Sequence, residues 1–205
     1  MHALIILVSI GSLGLACSIL TLIAMHALPA GVHALGDPVC FYATSGLRPL
    51  FWASSLGMGA SALCLAIRLG LVTGLGSVSS DISLGALCTF ALSRLAIVFF
   101  PADRGPRTVR GAVHVVLDVL TFTGISTAAF LTTKGLAPLG WGLGQGWAVS
   151  GSLARISAIT TIVFAWLTVP VISIPSWRRW TGLNERCLFA SFLAWLVAAY
   201  LPLLH

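Results

Sequence analysis

The chain has 205 residues, of which 58% are hydrophobic and 8% charged, with 11 Lys and Arg against 5 Asp and Glu. A soluble domain of this length carries roughly a quarter charged residues, and a mean hydropathy of +1.03 excludes that class. The apolar stretches are long and nearly continuous, and no polar segment is long enough to enclose a core of its own. The expectation is one all-α domain over 1–205, a polytopic transmembrane bundle of six helices, with no nucleic-acid partner.

The first span is Ala3–Met25, which carries no Lys, Arg, Asp or Glu. It lacks the basic n-region of a secretory signal and is longer than a signal core, so it reads as a retained span. A loop punctuated by Pro29, Gly31, Gly36, Pro38 and Gly46 leads to the second span, Pro49–Ile67, which stops at Arg68. The third, Ile82–Phe100, contains Arg94, and the fourth, Gly111–Leu131, contains His114 and Asp118. Between them Pro101, Gly105 and Pro106 mark a tight hairpin. The fifth span, Trp147–Val171, contains Arg155, and the sixth, Cys187–Leu204, is free of charge. Each approaches the roughly 20 residues that cross a hydrocarbon core as a helix. Alternating strands of barrel length are missing, which sets a β-barrel aside. The glycine-rich run Gly140–Gly146 has no GK[ST] after it and reads as a turn, not a phosphate loop.

Small residues recur within the spans, among them Gly11, Gly14, Ser55, Gly59, Gly85, Gly124 and Gly151. Helices in lipid gain little from burying apolar surface against each other, so close backbone approach at small residues is the expected packing device. Five cysteines match neither a CxxC pair nor a zinc spacing; four lie in spans as small hydrophobes, and Cys40, in the first loop, is the one expected to be exposed and reactive.

Loops one, three and five carry Arg48, Arg104, Arg107, Arg110, Arg178, Arg179 and Arg186, whereas the terminal side has Arg68 and Lys134. Basic residues near span ends are retained in the cytoplasm. The expected orientation places the termini outside and these loops inside, in a bacterial inner membrane.

Ionisable side chains within spans are costly and mark places where function is sought. Arg94 and Asp118 flank the third loop at matched depths of roughly 9–10 Å, which predicts that they are interacting neighbours, in one polar cluster with His114 or as a structural ion pair. His114 and Asp118, four apart, share a helix face. Arg155, with Ser152, Ser157, Thr160 and Thr161, makes the fifth span the most polar and suggests a cavity beside it. No nucleophile elbow is present, and His26, His33 and His114 lack HxxxH or HxxE spacing. No metal site is therefore expected and the cofactor is unassigned, haem needing two facing histidines at equal depth.

Three short islands carry a family resemblance. Phe100-Pro101-Ala102-Asp103 followed by Gly111 and His114, then Tyr42-Ala43-Thr44-Ser45-Gly46, and Gly182-Leu183-Asn184-Glu185-Arg186 leading to Trp195 together resemble a bacterial six-span membrane family. That family is classed as a domain of unknown function and is distantly similar to the Frag/DRAM/Sfk membrane proteins. The resemblance implies a shared polar face built from Asp103, His114, Glu185 and Arg186. The chain departs from the family pattern in lacking a basic N-terminal tail and in having Phe41 where an acid precedes Tyr42.

Three functions follow from these residues. One is binding of a lipid or small amphiphile at the basic face, with arginine forks favouring an anionic headgroup. Another is an accessory subunit held by other membrane proteins. The third is a membrane enzyme using His114 with Asp103 or Asp118. For the first, the expected site is a polar pocket bordered by Phe100 to Arg110, Glu185 and Arg186, capped by the first loop and floored by His114.

Overall fold

A computed structural model describes residues 2–73, 78–106, 108–133, 149 and 151–204. It contains six long α-helices: α1 (His2–Ala27), α2 (Arg48–Thr73), α3 (Val78–Ala96), α4 (Val109–Thr132), α5 (Ser152–Ser173) and α6 (Thr181–Tyr200). All six lie in segments long and apolar enough to cross a membrane, and the protein is membrane-embedded. Short 3₁₀ turns occupy Val39–Thr44 in the first loop, Ile97–Phe99 after α3, Pro175–Trp180 before α6 and Leu201–Leu203 after it. The Gly140–Gly146 run lies outside the described residues.

Consecutive helices pack side by side from α1 to α6, and α6 also touches α1 and α4. The last helix is therefore the core of the bundle. Phe189, Phe192 and Trp195 are fully buried on it. Phe192 meets Phe90 of α3 edge-on with ring centroids 5.5 Å apart, and Phe189 meets Phe122 of α4 at 6.4 Å, geometries that favour aromatic pairs. Polar atoms brought inside with α6 find partners: Trp195 Nε1 donates to Thr133 Oγ1 at 2.9 Å, and Tyr200 Oη donates to the Ser61 carbonyl at 2.6 Å.

Several of the small residues, though not Gly85 or Gly151, do the work expected of them at the helix crossings. A methyl group on Gly57 would lie 2.5 Å from the Gly14 carbonyl oxygen, and one on Gly14 would lie 2.7 Å from that of Gly57. The backbones of α1 and α2 thus touch, and Ser18 Oγ crosses the seam to donate to the Ser54 carbonyl at 2.9 Å. Gly124 of α4 is packed equally close against the Ala86 carbonyl of α3, 2.7 Å from where its methyl would stand.

Two expectations about charges are overturned. Arg94 and Asp118 feel each other's charge but make no direct ion pair. Arg94, only 1% exposed, donates from Nη2 to Ser55 Oγ of α2 at 2.6 Å and lies over the Phe189 ring at 5.1 Å. The matched depths rested on helical rise alone, and rise does not say toward which neighbour a side chain turns. Arg155 is not deep in a span either. Helix α5 begins at Ser152, so Arg155 stands in its first turn and is exposed. The hydroxyls of Ser157, Thr160 and Thr161 are satisfied by carbonyls of their own helix, which accounts for that polarity.

Candidate functional site: a cavity under the first loop

The first loop is strapped over the start of α6. Arg186 Nη1 donates to the Asp37 carbonyl at 2.8 Å, and Leu183 N–H donates to the Leu35 carbonyl at 3.1 Å. Glu185 Oε2 accepts the Val39 N–H at 2.7 Å. Gly182 permits this approach, since a methyl there would meet the Asp37 carbonyl oxygen at 2.4 Å. Arg104, from the third loop, reaches across to the Phe41 carbonyl at 2.9 Å.

Asp103 organises the third loop. Its carboxylate accepts from both the N–H and the hydroxyl of Thr108, at 2.7 and 2.9 Å. Thr108 in turn caps α4 by accepting from the Gly111 N–H at 3.0 Å. A side chain at position 111 would collide with the Asp103 carboxylate.

Beneath the first loop lies a cavity of about 560 Å³. Its loop-side end is formed by Pro38, Cys40, Phe41 and Asp103, and its polar wall by His114, Asp118, Asn184 and Glu185. Val115, Val119 and Phe122 of α4 continue it into the membrane opposite Thr168, Val171 and Ile172 of α5. Val115 and Val119 are 60% and 57% exposed while lining it, so the cavity opens sideways between α4 and α5 toward lipid.

His114 sits at the polar end, about 8 Å along α4 from its start. Its Nδ1 is 2.5 Å from the Phe100 carbonyl oxygen; a carbonyl only accepts, so this nitrogen carries the proton. Nε2 faces Asp118 Oδ2 at 3.1 Å, one helical turn away as the spacing predicts. Nε2 is buried, and its contact with Asp118 has ion-pair distance without the alignment of a hydrogen bond. The bond from Nδ1 to the Phe100 carbonyl fixes the ring, so Nε2 meets the carboxylate at the angle that this anchor allows.

Cys40 also faces this corner. Contrary to expectation it is buried, only 7% exposed. Burial pushes its thiol well above the ordinary range, and the carboxylates of Glu185 and Asp118 push the same way. The donor atoms of Cys40, His114 and Asp118 all lie within 4.8 Å of one another.

Asp103, His114 and Glu185 thus line the cavity, whereas Arg186 is turned into the first loop and donates from Nε to His26 Nε2 at 2.8 Å. With its Nδ1 on the Leu22 carbonyl, His26 has both ring nitrogens engaged. Arg110 is likewise bound to the Phe99 carbonyl. Among the described residues no arginine lines the cavity. Cys40, singled out in the sequence only as an exposed thiol, and Asn184, which had no signal beyond its place in the third island, both belong to the wall. No family model, curated protein or solved structure matches the chain.

Proposed function

We propose that the protein binds a membrane amphiphile, its headgroup at the polar end of the cavity and its tail between α4 and α5. The observation that carries this reading is the sideways opening: the same cavity has a polar end near the membrane surface and an apolar flank, Val115 to Phe122, facing lipid. A water-soluble ligand has no use for such a flank.

The polar wall argues for the headgroup's chemistry. Its ionisable groups are Asp103, Asp118, Glu185, His114 and Cys40. The described arginines of the third loop are spent on the Phe41 and Phe99 carbonyls. Carboxylates and a carboxamide favour a headgroup that donates hydrogen bonds, an amine or hydroxyls, over a bare phosphate monoanion. The basic loop side and its inward orientation remain part of the proposal, as an interfacial anchor around the cavity rather than its lining.

The test is native mass spectrometry of protein released from nanodiscs holding equal phosphatidylethanolamine and phosphatidylglycerol. The expected result is selective retention of one ethanolamine lipid, abolished by Val119→Trp, which fills the apolar flank. Equal retention by Val119→Trp would overturn the cavity as the binding place, and preference for the glycerol lipid would overturn the headgroup assignment.

A further inference from the structure

The geometry points to a divalent transition-metal site of the zinc class at the polar end of the cavity, ligated by Cys40 Sγ, His114 Nε2 and Asp118 with a fourth position open to the cavity. The three residues come from two places far apart in the chain, the first loop and α4, and the fold brings their donor atoms within 4.8 Å of one another. Two ligands about 2.0–2.1 Å from a tetrahedral ion stand about 3.4 Å apart. The 3.1 Å between His114 Nε2 and Asp118 Oδ2 is already close to that edge.

The state of His114 supplies the independent observation. Its Nδ1–H is committed to the Phe100 carbonyl, the outer-shell contact that sets the tautomer of metal-binding histidines. The other nitrogen then presents a lone pair. It is buried, has no hydrogen-bond partner, and points beside a carboxylate oxygen without aligning to it. Two acceptors held this close repel unless a cation lies near both. A proton on Nε2 makes an ion pair of these two groups and leaves Cys40 outside it; an ion set to one side, toward Cys40, meets all three donors.

Donor type narrows the ion. One sulfur, one imidazole nitrogen and one carboxylate oxygen disfavour calcium and magnesium, which take oxygen ligands, and suit zinc with its tolerance of mixed sets. A dication with Cys40 as thiolate and Asp118 ionised gives a neutral centre, a large relief in a low-dielectric wall. Glu185 supports the centre from outside: by accepting the Val39 N–H it fixes the backbone that presents Cys40. Three protein ligands leave a position open, the arrangement of reactive rather than purely structural zinc. The metal site shares the polar end with the proposed amphiphile headgroup but makes no use of the apolar flank, so either can fail without the other.

The test uses the full chain in mild detergent, stripped with chelator and then given Zn²⁺ or Co²⁺ alone. The expected results are one zinc per chain after dialysis and, with cobalt, a thiolate-to-metal charge-transfer band with the visible bands of a four-coordinate ion. Cys40→Ser should abolish the charge-transfer band, and His114→Gln and Asp118→Asn should each weaken zinc binding by at least about tenfold, in the range seen or exceeded when metal-site residues are altered. Cys17→Ser and Val119→Trp should leave both readouts unchanged, so loss of lipid in the latter is separable from loss of metal. Substoichiometric zinc in the wild-type protein, or a charge-transfer band that survives Cys40→Ser, would overturn the assignment. Should Cys40→Ser not yield monodisperse protein, the wild-type cobalt spectrum decides alone, and absence of the thiolate band overturns the site.

Discussion

Replacing Gly57 with alanine tests whether backbone contact holds α1 to α2. The added methyl would stand 2.5 Å from the Gly14 carbonyl oxygen and 2.6 Å from Ser18 Oγ, against about 3.5 Å for a relaxed carbon contact. The helices must part by about 1 Å, which forfeits a quarter to a half of the dispersion well at each touching pair. The same movement stretches the 2.9 Å bond from Ser18 Oγ to the Ser54 carbonyl, a bond of a kind worth about 0.6 kcal/mol within membranes. Overpacking costs about 1–3 kcal/mol, and the better helix propensity of alanine returns up to about 1. The net expectation is a loss of about 1–3 kcal/mol. Gly85→Ala is the control, because nothing lies within 4 Å of the added methyl and only the propensity gain applies. Steric trapping in bicelles measures both variants. If Gly57→Ala were as stable as Gly85→Ala, close approach at that seam would not be what holds α1.

Two further outcomes are expected. Cys40 should resist a water-soluble maleimide at neutral pH and react after unfolding, since a raised thiol pKa leaves little thiolate until the pH climbs toward it; rapid labelling of the native protein would contradict its burial. Double-mutant cycles should show Arg94→Met coupled to Ser55→Ala by about 1–3 kcal/mol, as for a buried hydrogen bond from a charged donor, and more weakly to Asp118→Asn. The reverse order would restore the ion pair that matched depth suggested.

The helices were legible because run length and glycine or proline breaks are one-dimensional features. Their ends were less so: Trp177, Arg178, Arg179 and Trp180 look like loop, yet helix begins at Thr181 and carries Glu185 and Arg186 inside it. Burial of Arg94 within its span was likewise legible, but its partner depended on which side of α3 it left from, and that emerges only when α2 and α6 are placed. The hairpin between α3 and α4 held a signal that could have been used: Thr108 just ahead of the helical run is an N-cap residue, which would have marked Asp103 as a turn-builder. The corner shared by Cys40 and α4 left no trace in spacing, because it is set by where the first loop folds back.

That strap has a consequence for assembly. The first loop emerges early in synthesis, yet the residues that hold it down, Gly182, Leu183, Glu185 and Arg186, arrive only with the final helix. Chains grow and insert from the N-terminus, so five helices can stand in the membrane while the roof of the cavity has the Arg104 bond to Phe41 but none of its α6 tethers. A ribosome that stops before α6 leaves a bundle whose cavity wall lacks Asn184 and Glu185.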